Sequence, residues 1–225
     1  MMPLPITLAS LQIGQPQTLG QVDAPDPMDR PWTTGFFKQP VAGPVWLNST
    51  HVEGDGQADL KNHGGVDKAV LAYSAEHYAF WKTHLNLPDL PPGAFGENFT
   101  IMGQTEAEVC VGDIYTIGEA VVQVSQPRQP CWKLSRRWRI EDLAQQVLAN
   151  GRTGWYFRVL QTGIVSPGQA VALQERPCPE WPIARAHQVM HHDLNDQVAT
   201  RALADCALLS KSWRDKLQQR LGSSI

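Results

Sequence analysis

The stretch Val124-Ser125-Gln126-Pro127-Arg128-Gln129-Pro130-Cys131 joins a strand-like run to a thiol held in a stiff loop. Upstream, Ala120, Val122 and Val124 fall on one face of a period-two pattern. Ile114, Thr116 and the turn Ile117-Gly118-Glu119 precede them, so residues 109–125 read as a hairpin. Downstream, the prolines fix φ and withhold backbone donors on either side of Arg128 and Gln129, which makes a stiff loop rather than a helix or a ladder. Cys131 is thereby held in place between Pro130 and Trp132, with Arg128 and Lys133 near enough in sequence to complement the charge of a thiolate. The thiolate is the form that attacks electrophiles and binds soft metals. A small buried core cysteine is the competing reading.

Outward from this hairpin, short strands and turns dominate. The content of 18 Gly and 17 Pro suits many short strands joined by loops. The first forty residues mix alternating apolar positions with proline-rich loops such as residues 23–27. Residues 69–73 are apolar and strand-like. Ser74 then reads as a helix cap, with Glu76 in the first turn and His77, Phe80, Trp81 and His84 on one stripe of a helix that ends before Pro88. Ile140, Leu143, Ala144, Val147 and Leu148 make a second helical face stopped by Asn150-Gly151. Residues 155–160 and 169–173 read as two closing strands. Beyond Pro177 no alternation remains, and three helical segments fit residues 183–192, 196–203 and 211–221, the last capped by Ser210. The expected architecture is α+β and mainly β: a distorted barrel over residues 1–176, then a small three-helix segment over 177–225.

Composition narrows the function classes. With 19 basic and 22 acidic residues, net charge −3, the chain has no field to attract nucleic acid or an anionic membrane. The helical tail balances six basic against five acidic residues, which argues against DNA binding. No apolar run approaches the ~20 residues that span a bilayer. Residues 1–11 lack a basic n-region and a small-residue cleavage site, so no signal peptide is expected. The cysteines at 110, 131, 178 and 206 form no C-x-x-C pair, so a zinc ribbon or dithiol motif is unsupported. All four read as reduced, which places the chain in the cytoplasm.

Three loops concentrate polar groups beside glycine: Lys61-Asn62-His63-Gly64-Gly65, Gly96-Glu97-Asn98 and Arg128–Cys131. Paired glycines let a backbone approach a ligand closely. Lys61, His63 and Arg128 together could hold an anionic group such as a phosphate, while Asn98 offers both donors and acceptors. A tight turn at His63-Gly64-Gly65 and a capped strand entry at Glu97-Asn98 are the structural readings of the same residues. Neither glycine pattern has the context of a nucleotide loop.

Taken together, His63-Gly-Gly-x-Asp-Lys-Ala69, Ala94-Phe-Gly-Glu-Asn98, Gly112-Asp113 and Val124–Cys131 resemble the MOSC family, and within it the bacterial YiiM-type proteins linked to 6-hydroxylaminopurine resistance. Gly154-Trp155 and Leu209-Ser-Lys-Ser-Trp213 extend the likeness over most of the chain. The resemblance implies a distorted β-barrel that binds molybdenum cofactor, a pterin bearing a dithiolene and a phosphate. It implies that Cys131 is the protein ligand to molybdenum and the catalytic residue. Arg128, Asn98 and the His63 loop would line the cofactor cleft, with Lys61, His63, Gly64 and Glu97 as candidates for cofactor binding. A basic N-terminal region found in amidoxime-reducing relatives has no match here, which leaves the partners of the phosphate open.

The expected activity is reduction of N-hydroxylated purines or amidoximes to amines, the oxygen passing to molybdenum held by the Cys131 thiolate. The protein would supply ligand, pocket and orientation. A separate flavoprotein would return the electrons, because the chain has no nucleotide loop or iron–sulfur cluster motif of its own. His63 and Glu97 are the candidate proton donors. Two other classes compete: a non-catalytic molybdopterin or sulfur carrier using a Cys131 persulfide, and a cysteine hydrolase built from Cys131, His63 and Asp67.

Overall fold

Strand formation begins where the apolar alternation is strongest. In the computed structural model, which describes residues 5–222, the strands are β1 Thr7–Ile13, β2 Gln17–Leu19, β3 Trp32–Thr34, β4 Gln39–Pro40, β5 Val45–Leu47, β6 Val70–Ser74, β7 Phe99–Met102, β8 Ile114–Ile117, β9 Ala120–Pro127, β10 Trp155–Gln161, β11 Gly163–Val165 and β12 Val171–Glu175. The helices are α1 Leu60–His63, α2 His77–His84, α3 Trp132–Trp138, α4 Leu143–Asn150, α5 Ile183–His191, α6 Gln197–Ala204 and α7 Lys211–Gly222. Positions 1–4 and 223–225 of the two expected units lie outside the described residues.

Eight strands form one sheet in the order β12-β8-β9-β10-β6-β7-β1-β4. It curls into a half-barrel, and two small two-strand sheets, β11-β5 and β2-β3, flank it. The hairpin expected at residues 109–125 is present as β8 and β9, with Ile117 opposite Ala120 and Ile114 opposite Gln123. Ala120, Val122 and Val124 all point into the core. β6 and β7 pair in parallel, Ala72 opposite Phe99, and the chain between them carries α2. A parallel pair needs such a crossover, and β6 is buried along its whole length, as its uninterrupted apolar run requires.

Two apolar clusters hold the elements. The larger fills the curled sheet and runs without a break into the tail, uniting Leu8, Phe99, Ile117 and Phe157 with Ile183, Leu203, Trp213 and Leu217. The smaller joins α2, α3 and α4 around Tyr73, Trp81, Phe95, Leu134 and Val147. There Tyr73 and Phe95 stack at 4.4 Å and Trp81 Nε1 donates to Tyr73 Oη at 2.6 Å. The expected tail helices are α5, α6 and α7. Asp196 caps α6 through Ala199 N at 2.9 Å, and Ser210 Oγ accepts from Trp213 N at 3.4 Å at the start of α7.

Three departures from the sequence reading have local causes. Ser74 ends β6 rather than capping α2, whose N-cap is Glu76, although Ser74 Oγ still accepts from Glu76 N at 3.3 Å. Residues 60–63, read as loop, form the one-turn helix α1 because Asp59 accepts from Asn62 N. Helix α3, for which the sequence reading has no counterpart, begins immediately after Cys131 over a mixed aromatic and basic run.

Candidate functional site

The sheet delivers the Pro127–Cys131 loop to a cleft. Pro127 is still within β9, opposite Trp155 of β10, and the next residue is anchored by Arg128 N to Gly154 O at 3.0 Å. Gly154 has φ 76°, and a Cβ there would sit 2.3 Å from Ala72 O, so the close approach of β10 to β6 requires glycine. Cys131 is extended at φ −121° and is the residue from which α3 starts. It is pinned by Pro130 before it and a helical turn after it.

The cleft holds a cavity of about 80 Å³ and opens to solvent. Its walls carry Cys131, Arg128, His63, Lys68, Lys133, Lys38, Asp55, Asp59, Asn98 and Tyr156. Of the residues expected from sequence, the fold therefore brings Cys131, Arg128, His63 and Asn98 together from three separate segments. Lys61 is exposed on α1 and Gly64 follows that helix; neither lines the cleft. Glu97 is fully buried and faces away from it, accepting from Gly93 N at 2.8 Å, Phe95 N at 3.1 Å, Thr100 Oγ1 at 3.1 Å and the Tyr78 hydroxyl. Those bonds fix the loop that presents Gly96 and Asn98. Gly96 itself, at φ 82°, leaves room for the Phe36 ring, which would lie 2.8 Å from a Cβ there.

Arg128 is the most informative cation of the site. It is 2% exposed, and its Nη2 donates to Phe95 O at 2.7 Å. Its Nη1 is buried without a hydrogen-bond partner. A buried guanidinium donor left open costs free energy on the order of 1–3 kcal/mol, so its retention in a cleft wall points to an acceptor that enters. The guanidinium also lies 5.9 Å from the centre of the Phe36 ring.

Asn98 ties the cleft floor together. Its Nδ2 donates to Asp55 Oδ2 at 2.9 Å and to Gln12 O at 3.3 Å, and its Oδ1 accepts from Leu71 N at 3.3 Å. Asp55 Oδ1 accepts from Gly14 N at 2.9 Å and from Lys38 Nζ. Both members of the Lys38–Asp55 ion pair are buried. Burial pushes the Lys38 ammonium below the ordinary lysine value, an effect opposed first by Asp55 and then by Glu97. His63 is held down at about 4, chiefly by burial and then by the Arg128 charge, so its imidazole is neutral at neutral pH. The Tyr156 phenol is pushed up to about 12 by burial, with Arg128 opposing that and Cys131 adding to it.

Asp67 does not orient His63. Its carboxylate faces Arg158 at 2.8 Å, and its carbonyl accepts from Ser125 Oγ at 2.6 Å. The hydrolase triad is therefore not assembled. Lys38, Asp55, Lys68 and Tyr156 went unnoticed in sequence. Tyr156 could have been found from its place in β10, opposite Gln126 of the diagnostic loop; the Lys38–Asp55 pair had no local signal.

A curled, mainly antiparallel half-barrel thus places a thiol and a buried, half-satisfied arginine in one cleft with Lys38, Lys68 and Lys133. The MOSC domain profile matches residues 59–172, and the profile of a YiiM-like, 3-alpha helix domain matches residues 181–223. The chain is 44% identical over 214 residues to the protein YflK of Bacillus subtilis, covering 95% of this chain and 94% of that one. It is 36% identical over 197 residues to a reductase of Gibberella moniliformis, matching 85% of this chain and 34% of that longer protein. The crystal structure of YiiM from Geobacillus stearothermophilus superposes with a TM-score of 0.81 at 39% identity, over 96% of this chain and all of that one. The chain belongs to the MOSC family and carries the YiiM-like three-helix domain.

MOSC domains generally bind molybdenum cofactor, and the residues of this cleft fit that group. Cys131 offers a soft sulfur ligand, Arg128 Nη1 offers an unused donor for an oxyanion, and Lys68 and Lys133 add positive charge for a phosphate. Among the described residues no group of three or more His, Cys, Asp or Glu side chains could hold a metal ion.

Proposed function

We propose that this protein is a molybdenum-cofactor-dependent reductase that converts N-hydroxylated compounds, such as N-hydroxylated purines and amidoximes, to their amines. The observation that carries the reading is the placing of Cys131 on one cleft wall with the buried, open Nη1 of Arg128. When bound, the cofactor supplies the two-electron chemistry that breaks the N–O bond. Cys131 would hold the metal, and Arg128, Lys68 and Lys133 would hold the anionic parts of the pterin. Tyr156 stays protonated at neutral pH and offers a hydroxyl donor in the same wall. His63 is neutral there and serves as a hydrogen-bond partner rather than a cation. Phe36, Leu71 and Ala58 add apolar lining to the cleft. A flavoprotein is the proposed electron donor, and the four free cysteines support a reducing, cytoplasmic setting.

The test is reduction of N-hydroxyladenine by protein from a cofactor-producing host, supplied with a reduced flavin donor. Adenine should form with wild type and not with Cys131→Ser. Equal turnover by a metal-loaded Cys131→Ser variant would contradict the proposal.

A further inference from the structure

Reducing a hydroxylamine to an amine consumes protons as well as electrons: R–NH–OH + 2 e⁻ + 2 H⁺ gives R–NH₂ + H₂O. The two donors expected from sequence are badly placed for this. His63 carries no acidic proton at neutral pH beyond its neutral imidazole N–H, and Glu97 points away from the cleft into four donors of its own. Lys38 is different. It lies between β3 and β4, is 8% exposed, lines the cleft, and is paired with Asp55, seventeen positions on. Asp55 is itself fixed on both oxygens, by Gly14 N and by Asn98 Nδ2, each at 2.9 Å. It is therefore a rigid counter-charge rather than a shuttle.

We propose that Lys38 is the catalytic acid of the cleft and Asp55 its positioning carboxylate, Lys38 giving a proton to the oxygen that leaves an N-hydroxylated substrate. The inference rests on the reductase reading above. As the N–O bond breaks, the Lys38 Nζ–H proton goes to the departing oxygen, which ends as water. The nitrogen takes the second proton from solvent, and solvent reprotonates the Lys38 amine. The two electrons come from the reduced flavin of the donor, which is oxidised, so that R–NH–OH + FlH₂ gives R–NH₂ + H₂O + Fl. Burial makes the ammonium a stronger acid than a surface lysine. Asp55 and then Glu97 oppose that shift, and Asp59, His63, Lys68, Arg128 and Lys133 are the other titratable or charged groups on the cleft wall.

Holoprotein carrying Lys38→Arg keeps the charge beside Asp55 but gives up its proton far less readily. It should retain molybdenum and its unfolding midpoint while kcat falls by roughly 10²–10⁴-fold, the usual contribution of a general acid. In Lys38→Ala, added methylammonium should restore turnover in proportion to its concentration; should that variant not fold, Lys38→Arg decides. The alkaline fall of kcat should move to lower pH in Asp55→Asn, because removing the carboxylate weakens the hold on the proton. In the cofactor-free chain, nitrogen NMR of Lys38 Nζ should titrate below the ordinary lysine value. Wild-type kcat in Lys38→Arg, no methylammonium effect on folded and loaded Lys38→Ala, or an ordinary Lys38 titration would each overturn the assignment. Such results with an active wild type sink this inference alone. A loaded wild type that reduces no N-hydroxylated compound sinks the reductase reading and this inference with it.

Discussion

Replacing Arg128 by methionine separates a ligand-binding role from a packing role. In the cofactor-free chain the change removes the 2.7 Å bond to Phe95 O, a charge-assisted contact worth about 1.5–3 kcal/mol. It also removes the guanidinium held 5.9 Å from the Phe36 ring centre, worth about 0.5–2 kcal/mol. Against these stand the open Nη1 donor, which costs about 1–3 kcal/mol, and the burial of an unpaired charge. Methionine fills much of the same space, and the backbone bond to Gly154 O survives. The net stability change should therefore stay within about 2 kcal/mol. With the cofactor bound, the same change removes a charge-assisted contact to an anion. Retention should weaken by about 1.5–3 kcal/mol, or roughly 10–150-fold. Urea unfolding of the cofactor-free chain and the rate of cofactor loss from the holoprotein measure the two effects separately. A stability loss well above about 3 kcal/mol with unchanged cofactor retention would refute the reasoning and make Arg128 a packing residue.

Glu97→Ala strips two backbone amides, the Thr100 hydroxyl and the Tyr78 hydroxyl of a buried acceptor, and should cost about 3–5 kcal/mol; calorimetry showing an unchanged melting temperature would contradict its structural role. Leu217→Ala, in the core shared by the barrel and α7, should cost about 2–5 kcal/mol while fluorescence and circular dichroism still report one coincident transition, whereas two separated transitions would show that the tail folds independently. His191 is held at about 4, mainly by burial and then by His187, His192, Lys216 and Arg220, and His187 is also lowered, by burial and His192 against the opposing pull of Leu148 O and Glu106. In this range the unfolded chain binds more protons than the folded one, so the melting temperature should fall as pH drops from about 6.5 towards 4, and His191→Gln should flatten that fall; a pH-independent wild type would contradict it.

Much of the fold was legible because its signals are local. The β8–β9 hairpin followed from alternation around the Gly118 turn, α4 from its apolar stripe and the Asn150-Gly151 stop, and α5 to α7 from their periodicity and, for α7, the cap at Ser210. Helix α3 was missed because Trp132–Trp138 mixes aromatic and basic residues and has no side-chain cap. In the site, Cys131 and Arg128 were legible because the prolines advertise a rigid loop. Lys38 and Asp55 were not, since neither stands in a motif and their meeting depends on non-local bonds from Gly14 and Asn98. Glu97 shows the opposite case. Its neighbours in sequence suggest a site, yet four donors turn its carboxylate inward, which only the folded loop reveals.

Binding of molybdenum by the Cys131 sulfur is tested by metal analysis of protein purified from a cofactor-producing host. Wild type should carry molybdenum and Cys131→Ser next to none, with unfolding curves that coincide. A wild type devoid of the metal under those conditions, or a serine variant loaded equally well, would contradict the account.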